Sequence, residues 1–339
     1  GGPVRTFTLP DGLEAGAPPT ARDGVRLLVA HQGGVEHARF AHLGRFLSPG
    51  DLLVVNTSAT LAAAVDGSRG DGRPVTLHFA SALDDGSWVV EVRPQHDATG
   101  PVEDARSDDV ITLPDGIRAV LLAPHPVGQH RLWQAAVAVD GGVPAYLARH
   151  GRPIRYAYVP TPLPLADYQT VFAREPGSAE MPSAGRPFTA ELVTDLVTRG
   201  VVVVPIELHT GVSSQEPGEP PQPERFRVPE PTARLVNMTR AWGGRVVAVG
   251  TTVTRALESA ADDLGVVRER AGWTELVLGP DRPARVVGGL ITGWHAPGAS
   301  HLQLLEAVAG PELVERAYAE AVHARYLWHE FGDSCLLLP

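Results

Sequence analysis

The stretch "GGRVVAVGTTVTRALES", residues 243–259, carries the pattern that decides the fold class. Residues 245–249, Arg-Val-Val-Ala-Val, have the length expected for a buried strand and are apolar after Arg245, and Gly250 separates them from a segment with helical spacing. A strand, a turn and a helix in succession are the repeating unit of α/β proteins. We therefore predict an α/β fold, with a strand at 245–249 and a helix beginning at Thr251.

Two familiar phosphate-binding loops can be tested on this turn, and neither fits. The dinucleotide fingerprint needs three spaced glycines, whereas only Gly250 stands between the strand and the helix. The P-loop needs a lysine, and all 29 basic residues of the chain are arginine. The turn can still offer backbone N–H groups and the hydroxyls of Thr251 and Thr252 to an anionic or hydroxylated ligand. The ligand stays open at this point.

Composition narrows the class of protein. The chain has 339 residues, of which 43% are hydrophobic and 20% charged, enough for a full core and two domains. A net charge of −10 argues against unspecific nucleic-acid binding, although a local arginine patch could grip a folded RNA. The single cysteine, Cys335, excludes an internal disulfide and disfavours a thiolate zinc site. No run approaches the roughly 18 residues of a membrane span and no leader precedes Leu9, so we expect a cytoplasmic protein without a membrane partner.

The pattern of predicted strands and helices changes twice along the chain. Residues 1–61 and 149–339 alternate strand and helix patterns and form the predicted α/β main domain. Residues 62–148 instead contain short β-rich runs with Asp-Gly turn dipeptides. This middle segment therefore predicts an inserted, small antiparallel β-barrel domain.

Several elements of the main domain can be placed from local signals. Thr189 is a predicted N-cap and Gly200 a predicted helix stop. Residues 37–47, 302–308 and 312–326 have helical spacing, and a last strand is predicted near Leu336. Residues 213–231 are rich in proline and glutamate, which predicts an exposed loop that could cover a site.

Four segments place unusual polar residues at strand ends or in turns, where α/β proteins collect ligand-binding groups. Their candidate residues are Tyr168, Gln169, Glu180, His209, Gly250, Thr251, Thr252, Arg255 and His295. No nucleophile elbow, metal triad or cofactor motif accompanies them, so we predict no metal site.

Each candidate also has a structural interpretation. Arg255 and Glu258 could form a surface ion pair at i,i+3 spacing. His209 could satisfy a backbone carbonyl, and Glu180 could be merely solvated. Trp294, beside His295, is more typical of a core residue than of a stacking platform.

Taken together, ordered blocks of the chain resemble a known family. The blocks "GDLLVVN" (50–56), "YQTVFA" (168–173), "ELHTG" (207–211) and "GGRVVAVGTT" (243–252) agree in order and separation with the S-adenosylmethionine:tRNA ribosyltransferase-isomerase family of queuosine biosynthesis. The resemblance spans nearly the whole chain. It implies an α/β barrel-like main domain interrupted by a small β-barrel.

The resemblance also implies a reaction. In that family the ribosyl group of S-adenosylmethionine moves to the 7-aminomethyl-7-deazaguanine of tRNA and is isomerised to an epoxy-cyclopentanediol, which releases adenine and methionine. The sulfonium acidifies the ribose 5′-methylene protons, so the chemistry needs a base and a proton donor but no prosthetic group. S-adenosylmethionine is thus expected as substrate, and we expect a monomer.

The resemblance carries over to particular residues. His209 and His295 match histidines of the family motifs and are the implied proton-transfer groups. Thr251, Thr252 and Arg255 would hold the methionine carboxylate or the ribose hydroxyls of the donor. Tyr168, Gln169 and Gly250 complete the predicted donor site.

The sequence also departs from the family pattern. Residues 57–60 read Thr-Ser-Ala-Thr where the family usually has Asp-Thr-Arg-Val, and Glu180 is a new acid in its motif. Three hypotheses follow. The first is the family reaction on tRNA, gripped by an arginine stripe at Arg149, Arg152 and Arg155. The second is a diverged enzyme, with Glu180 as base, that uses a small-molecule acceptor or cleaves the sulfonium by elimination. The third is a non-catalytic protein that binds S-adenosylmethionine.

Overall fold

The structure, a computed structural model, describes residues 9–95, 100–126, 128–129, 131–213, 222–296 and 300–339. Its strands are β1 (Arg26–His31), β2 (Gly34–Arg39), β3 (Leu52–Asn56), β4 (Ser58–Thr60), β5 (Ala64–Ser68), β6 (Pro74–Ala82), β7 (Trp88–Pro94), β8 (Val110–Thr112), β9 (Arg118–Pro124), β10 (Leu132–Val137), β11 (Glu175–Ser178), β12 (Val202–Leu208), β13 (Glu224–Val228), β14 (Val246–Val249), β15 (Arg270–Thr274), β16 (Gly289–Gly293) and β17 (Ser334–Leu338). Its α-helices are α1 (Val143–His150), α2 (Ala190–Thr198), α3 (Glu230–Ala241), α4 (Thr251–Ser259), α5 (Ser300–Ala309) and α6 (Pro311–His323).

The main domain is built on one nine-stranded mixed sheet, in the order β15-β13-β12-β3-β14-β16-β17-β1-β2. Its centre, β12, β3, β14 and β16, is parallel, and every residue of β3 and β14 is buried. Strands covered on both faces read as continuous apolar runs, which is what these two segments show. Helices α3 to α6 cover one face, while α2 and a 3-10 helix at Phe40–Phe46 cover the other.

The middle of the chain forms a closed six-stranded antiparallel barrel, in the order β10-β7-β6-β5-β8-β9. Phe79, Trp88 and Trp133 are buried in its core, and Tyr146 of α1 packs with them. The α/β class and the inserted β-barrel are therefore confirmed. The domain boundaries at 61/62 and 148/149 stay a prediction, although all six barrel strands lie within them.

Local signals were good predictors of single elements. Helix α4 begins at Thr251 after the strand β14, and Thr189 caps α2 by accepting the N–H of Leu192 at 3.1 Å. Gly200 follows α2 with φ +88°, the left-handed conformation of a helix stop. Helices α5 and α6 and the strand β17 also lie where they were predicted.

Three expectations need correction. Residues 37–47 are not one helix: the segment completes β2, which pairs antiparallel with β1, and only then turns into the 3-10 helix. The predicted loop at 213–231 contains the strand β13, and its residues 214–221 lie outside the described part of the chain. The barrel-like main sheet is open, because its edge strands β15 and β2 do not pair within the described residues.

The search for membrane and metal features covers the same described residues. None of the helices there is both long and apolar enough to span a bilayer. Within those limits, no group of three or more His, Cys, Asp or Glu side chains is arranged to hold a metal ion.

Candidate active site

The carboxyl ends of the parallel strands meet at one edge of the main sheet. The ligand-binding groups of an α/β protein usually lie at such an edge. Asn56, at the end of β3, forms hydrogen bonds to two other elements at this edge. Its Nδ2 donates to the carbonyl of Leu208 at 2.9 Å, and its Oδ1 accepts the N–H of Leu208 at 3.0 Å. The same Nδ2 lies 3.4 Å from Oγ1 of Thr252 at the start of α4. One buried amide thus joins the ends of β3 and β12 to the first turn of α4.

His209 directly follows β12 and is held on both sides of its ring. Its Nδ1 lies 2.8 Å from the hydroxyl of Ser58, and its Nε2 lies 2.8 Å from a carboxylate oxygen of Glu207. The carboxylate on Nε2 and the hydroxyl on Nδ1 together fix the orientation of the ring. The alternative that His209 satisfies a backbone carbonyl is wrong, because both ring nitrogens contact side chains.

The short parallel pair β4–β11 supplies the wall behind this histidine. Gly177 on β11 lies so close to the His209 ring that a β-carbon there would overlap it. The hydroxyls of Ser178 and Ser58 are hydrogen-bonded, and Ser178 also accepts the N–H of Thr210. The His209 ring therefore packs against Gly177 and is hydrogen-bonded by Ser58, which Ser178 in turn holds in place.

Gly250 shapes the turn between β14 and α4. Its φ of +101° favours glycine, and its N–H donates to the carbonyl of Ile291 at 2.8 Å. Gly250, the N-cap residue of α4, has no side chain that could cap the helix, so in the part of the chain that the structure describes no N-cap side chain accepts from the N–H groups of Thr251 and Thr252. The first turn of α4 thus presents the N–H groups that we predicted would bind an anion or a polyol, and this role stays a prediction.

Arg255 and Glu258 do not pair with each other. Arg255 forms an ion pair with Glu224 of β13, whose other oxygen accepts the N–H of Gly211 at 3.0 Å. Glu258 is 1% exposed and accepts three backbone N–H groups from residues 285–287, while Arg282 lies 3.3 Å away. The surface ion pair suggested for these two residues is wrong, since Arg255 pairs with Glu224 and the buried Glu258 accepts backbone N–H groups.

Glu180 is engaged by other side chains rather than by solvent. Its carboxylate accepts the hydroxyl of Tyr156 at 2.7 Å, and both the N–H and the hydroxyl of Ser213, at 2.5 and 2.6 Å. Burial raises the pKa of Glu180 above its ordinary value, although these three donors oppose the rise. The interpretation of Glu180 as merely solvated is therefore wrong.

His295 lies in the turn after β16. Its Nε2 contacts the hydroxyl of Thr292 at 2.8 Å, and its N–H donates to the hydroxyl of Tyr318 at 3.1 Å. Burial lowers the pKa of His295 well below its ordinary value, and the neighbouring His301, which stacks on it, adds to the effect. His295 is thus neutral at pH 7. The adjacent Trp294 is a core residue, 2% exposed, as its structural interpretation held.

Tyr168 and Gln169 differ in whether their polar groups already have hydrogen-bond partners. Both polar atoms of the Gln169 amide are hydrogen-bonded. Its Oε1 accepts the N–H of Thr60, and its Nε2 donates to the carbonyl of Thr60, each at 2.8 Å. The hydroxyl of Tyr168 is buried and finds no hydrogen-bond partner among the described residues. Gln169 therefore positions β4, whereas Tyr168 keeps a donor unused.

Sequence reasoning missed a second group of residues next to Tyr168 and Glu180. The rings of Tyr156 and Tyr158 stack at 6.2 Å, and His329 stacks on Tyr158 at 4.4 Å. Glu330 follows His329, and burial raises the pKa of Glu330 to about 8. The signals available were the Tyr-x-Tyr pair at 156–158 and the His-Glu pair at 329–330, polar residues set in otherwise apolar segments.

Contacts link most of the predicted residues into one region. Asn56 joins the end of β12, where His209 stands, to Thr252, and Thr210, next to His209, donates to the carbonyl of Glu180. His301 stacks on His295 at 4.5 Å, and the charge of Arg255 helps to lower the pKa of His301, so these three residues are close in space. Which of these residues binds donor or moves protons stays a prediction.

Comparison with known proteins gives the family. The chain matches the family described as queuosine biosynthesis protein over residues 5–337. It is 36% identical to the S-adenosylmethionine:tRNA ribosyltransferase-isomerase of Symbiobacterium thermophilum and 34% identical to that of Pelotomaculum thermopropionicum, over 98% of this chain and of each relative. The crystal structure of S-adenosylmethionine tRNA ribosyltransferase from Thermotoga maritima is similar with a TM-score of 0.55 and 28% identity, covering 98% of this chain and 99% of that one. The chain therefore belongs to the queuosine biosynthesis protein family.

Proposed function

We propose that this protein is an S-adenosylmethionine:tRNA ribosyltransferase-isomerase, which moves the ribosyl group of S-adenosylmethionine onto 7-aminomethyl-7-deazaguanine in tRNA and isomerises it. One observation carries the proposal: relatives with this name match the chain from end to end, through the inserted barrel as well as the main sheet. An end-to-end match does not favour the small-molecule acceptor or the non-catalytic alternative.

The first proton transfer removes a 5′-methylene proton of the donor, and we assign it to His209. Glu207, 2.8 Å from Nε2, holds the His209 ring in one orientation for this transfer. We assign to His295, which burial keeps neutral, the proton that the acceptor amine loses on attack. Both assignments need the ring geometry described above, which Ser58 and Thr292 hold.

The first turn of α4 suits the charged and hydroxylated parts of the donor. Its uncapped N–H groups and the hydroxyls of Thr251 and Thr252 can bind the methionine carboxylate or the ribose hydroxyls. Arg255 adds a positive charge, which Glu224 holds in place. No prosthetic group enters this scheme.

The tRNA is proposed to contact an arginine stripe near the junction with the barrel. Arg149 is exposed on α1, and Arg152, 49% exposed, lies 2.8 Å from Asp66. Arg155 donates to the carbonyl of Val159 at 2.9 Å. A local positive patch can bind phosphates although the whole protein is acidic. Because the acceptor is tRNA, we place the reaction in the cytoplasm, and we propose that one chain suffices for it.

The experiment incubates the purified protein with S-adenosylmethionine and tRNA carrying the deazaguanine precursor, and follows adenine and methionine by chromatography. Release of both only with that tRNA is the expected result, and tRNA with guanine at the same position is the matched control. Turnover without RNA would instead support the small-molecule alternative. Binding of S-adenosylmethionine without turnover under any condition would support the non-catalytic one.

A further inference from the structure

Two buried polar atoms lie beside the donor site and have no role in the scheme above. The hydroxyl of Tyr168 belongs to a side chain that is 3% exposed, and Oε1 of Glu330 is likewise removed from solvent. Neither atom has a hydrogen-bond partner among the described residues. The Tyr168 ring packs edge-on against Phe331, the neighbour of Glu330, at 5.4 Å. Unsatisfied buried polar atoms are rare, and two of them in one region of the structure point to a ligand.

The turn that carries Glu330 is rigid. Asp333 accepts the N–H of Arg26 and the N–H of Leu327, each at 2.7 Å, and thereby fastens the turn to β1 and to the segment that follows α6. His329 adopts φ +73°, a conformation that a non-glycine residue keeps only where its surroundings enforce it. Glu330 is therefore held in place before any ligand binds.

The surroundings of Glu330 favour its neutral form. Burial is the main cause that raises its pKa, and the charge of Glu180 adds to it, while Tyr158 and Arg186 act in the opposite direction. A neutral carboxyl group has one donor and one acceptor. The stacked rings of Tyr156, Tyr158 and His329 form an aromatic wall next to it, which suits a flat heterocycle.

We propose that Glu330 binds the N6–N7 edge of the donor's adenine and protonates N7 as adenine leaves. The inference rests on the proposed function, which supplies S-adenosylmethionine as the donor. Tyr168, already predicted as a donor-binding residue, would supply a further hydrogen bond from its unused hydroxyl.

The chemistry of the bases selects adenine over the acceptor. Adenine presents N7 as an acceptor next to the N6 amino donor, and this pair matches a neutral carboxyl group. The N3 edge lacks a neighbouring donor. The deazaguanine acceptor has carbon at position 7, and its Watson–Crick edge offers two donors, which match an ionised carboxylate instead.

The step balances in protons and electrons. The bond between the ribose C1′ and N9 of adenine breaks, and its electron pair goes to the base. N7 takes the carboxyl proton of Glu330, so adenine leaves as a neutral molecule and Glu330 remains as carboxylate. Glu330 then recovers its proton from water. His209 removes the 5′ proton in a separate step, so acid and base are different residues.

The test compares wild type with Glu330→Gln on two donors, S-adenosylmethionine and its 7-deazaadenine analogue, in which carbon replaces N7. Release of the base in the first turnover is measured with precursor tRNA. We expect Glu330→Gln to slow adenine release by at least about 100-fold, but to change release from the analogue by less than about threefold, since that base cannot take the proton. An equal loss on both donors, or a loss below threefold on S-adenosylmethionine, would overturn the proposal. Glu269→Gln, at an exposed carboxylate, is the control.

A second measurement separates this proposal from the proposed function. Free adenine is titrated into wild type and Glu330→Gln in a calorimeter at pH 7, without tRNA. We expect Glu330→Gln to bind adenine within about threefold of wild type, because its amide also offers one donor and one acceptor, and Glu330→Ala, titrated in the same way, to bind it at least tenfold more weakly; an unchanged melting temperature is the check on folding. If wild type binds adenine through Glu330 but shows no turnover with tRNA, the proposed function fails and the acid site stands. If wild type modifies tRNA, Glu330→Gln leaves adenine release unchanged and Glu330→Ala leaves adenine binding unchanged, the acid site fails alone.

Discussion

The neutral carboxyl of Glu330 should be visible in the stability of the protein, independently of any reaction. Its pKa is raised from 4.5 to about 8, so between these values the folded state binds a proton that the unfolded state has lost. The stability contribution of Glu330 therefore falls as pH rises from 4.5 to 8, and stays at its lowest above that range. Glutamine has nearly the same shape and does not titrate.

The magnitude follows from the size of the shift. From pH 6 to the folded pKa is about two units, and one unit corresponds to about 1.4 kcal/mol, which gives an upper limit of about 2.7 kcal/mol. Because Glu330 is only partly buried, solvent screening reduces this to about 2 kcal/mol. Glu330→Gln should thus gain about 2 kcal/mol relative to wild type between pH 6 and pH 9.5.

Urea unfolding of wild type and Glu330→Gln at the two pH values measures this gain. Groups that titrate in both proteins cancel in the difference, and Glu269→Gln serves as the exposed control. A stability difference that is the same at pH 6 and pH 9.5 would refute the reasoning, because Glu330 would then ionise alike in the folded and unfolded states.

Other consequences can be measured in the same way. Glu258→Gln should lower the free energy of unfolding by about 3 kcal/mol, because a buried carboxylate that accepts three backbone N–H groups loses its charge; urea unfolding tests this. His209→Ala and His295→Ala should each reduce adenine release by more than about tenfold, and full activity in both would remove their assignment as proton-transfer groups. Gly177→Ala should slow adenine release by about tenfold with little change in melting temperature, since the new β-carbon displaces the His209 ring; unchanged kinetics would show that the ring position is unimportant.

Elements with strong local signals could be predicted from the sequence. Gly250 and the threonines after it mark a strand-to-helix turn, and Thr189 marks a helix start, because these signals act within a few residues. Residues 37–47 show where such reasoning fails. Their spacing suits a helix, but pairing with the buried strand β1 overrides a local preference.

The candidate site likewise combines residues that the sequence predicted with partners that it could not predict. The sequence placed His209 at the end of a strand, but its partner Ser58 is 151 residues away in the chain. Glu224, which holds Arg255, lies in a segment whose proline content indicated a loop. Neither partner carries a local signal, since hydrogen bonds between distant segments depend on how the strands are ordered.

The sequence by itself determined the α/β class, the inserted barrel and the family resemblance, because periodicity, turn residues and ordered motifs are properties of neighbouring residues. Only the tertiary structure decided that Glu330 is neutral, that His209 has a carboxylate partner and that Glu258 is buried away from Arg255. The physical reason is that the ionisation of a side chain depends on its burial and on the charges around it, and these are supplied by segments far apart in the chain.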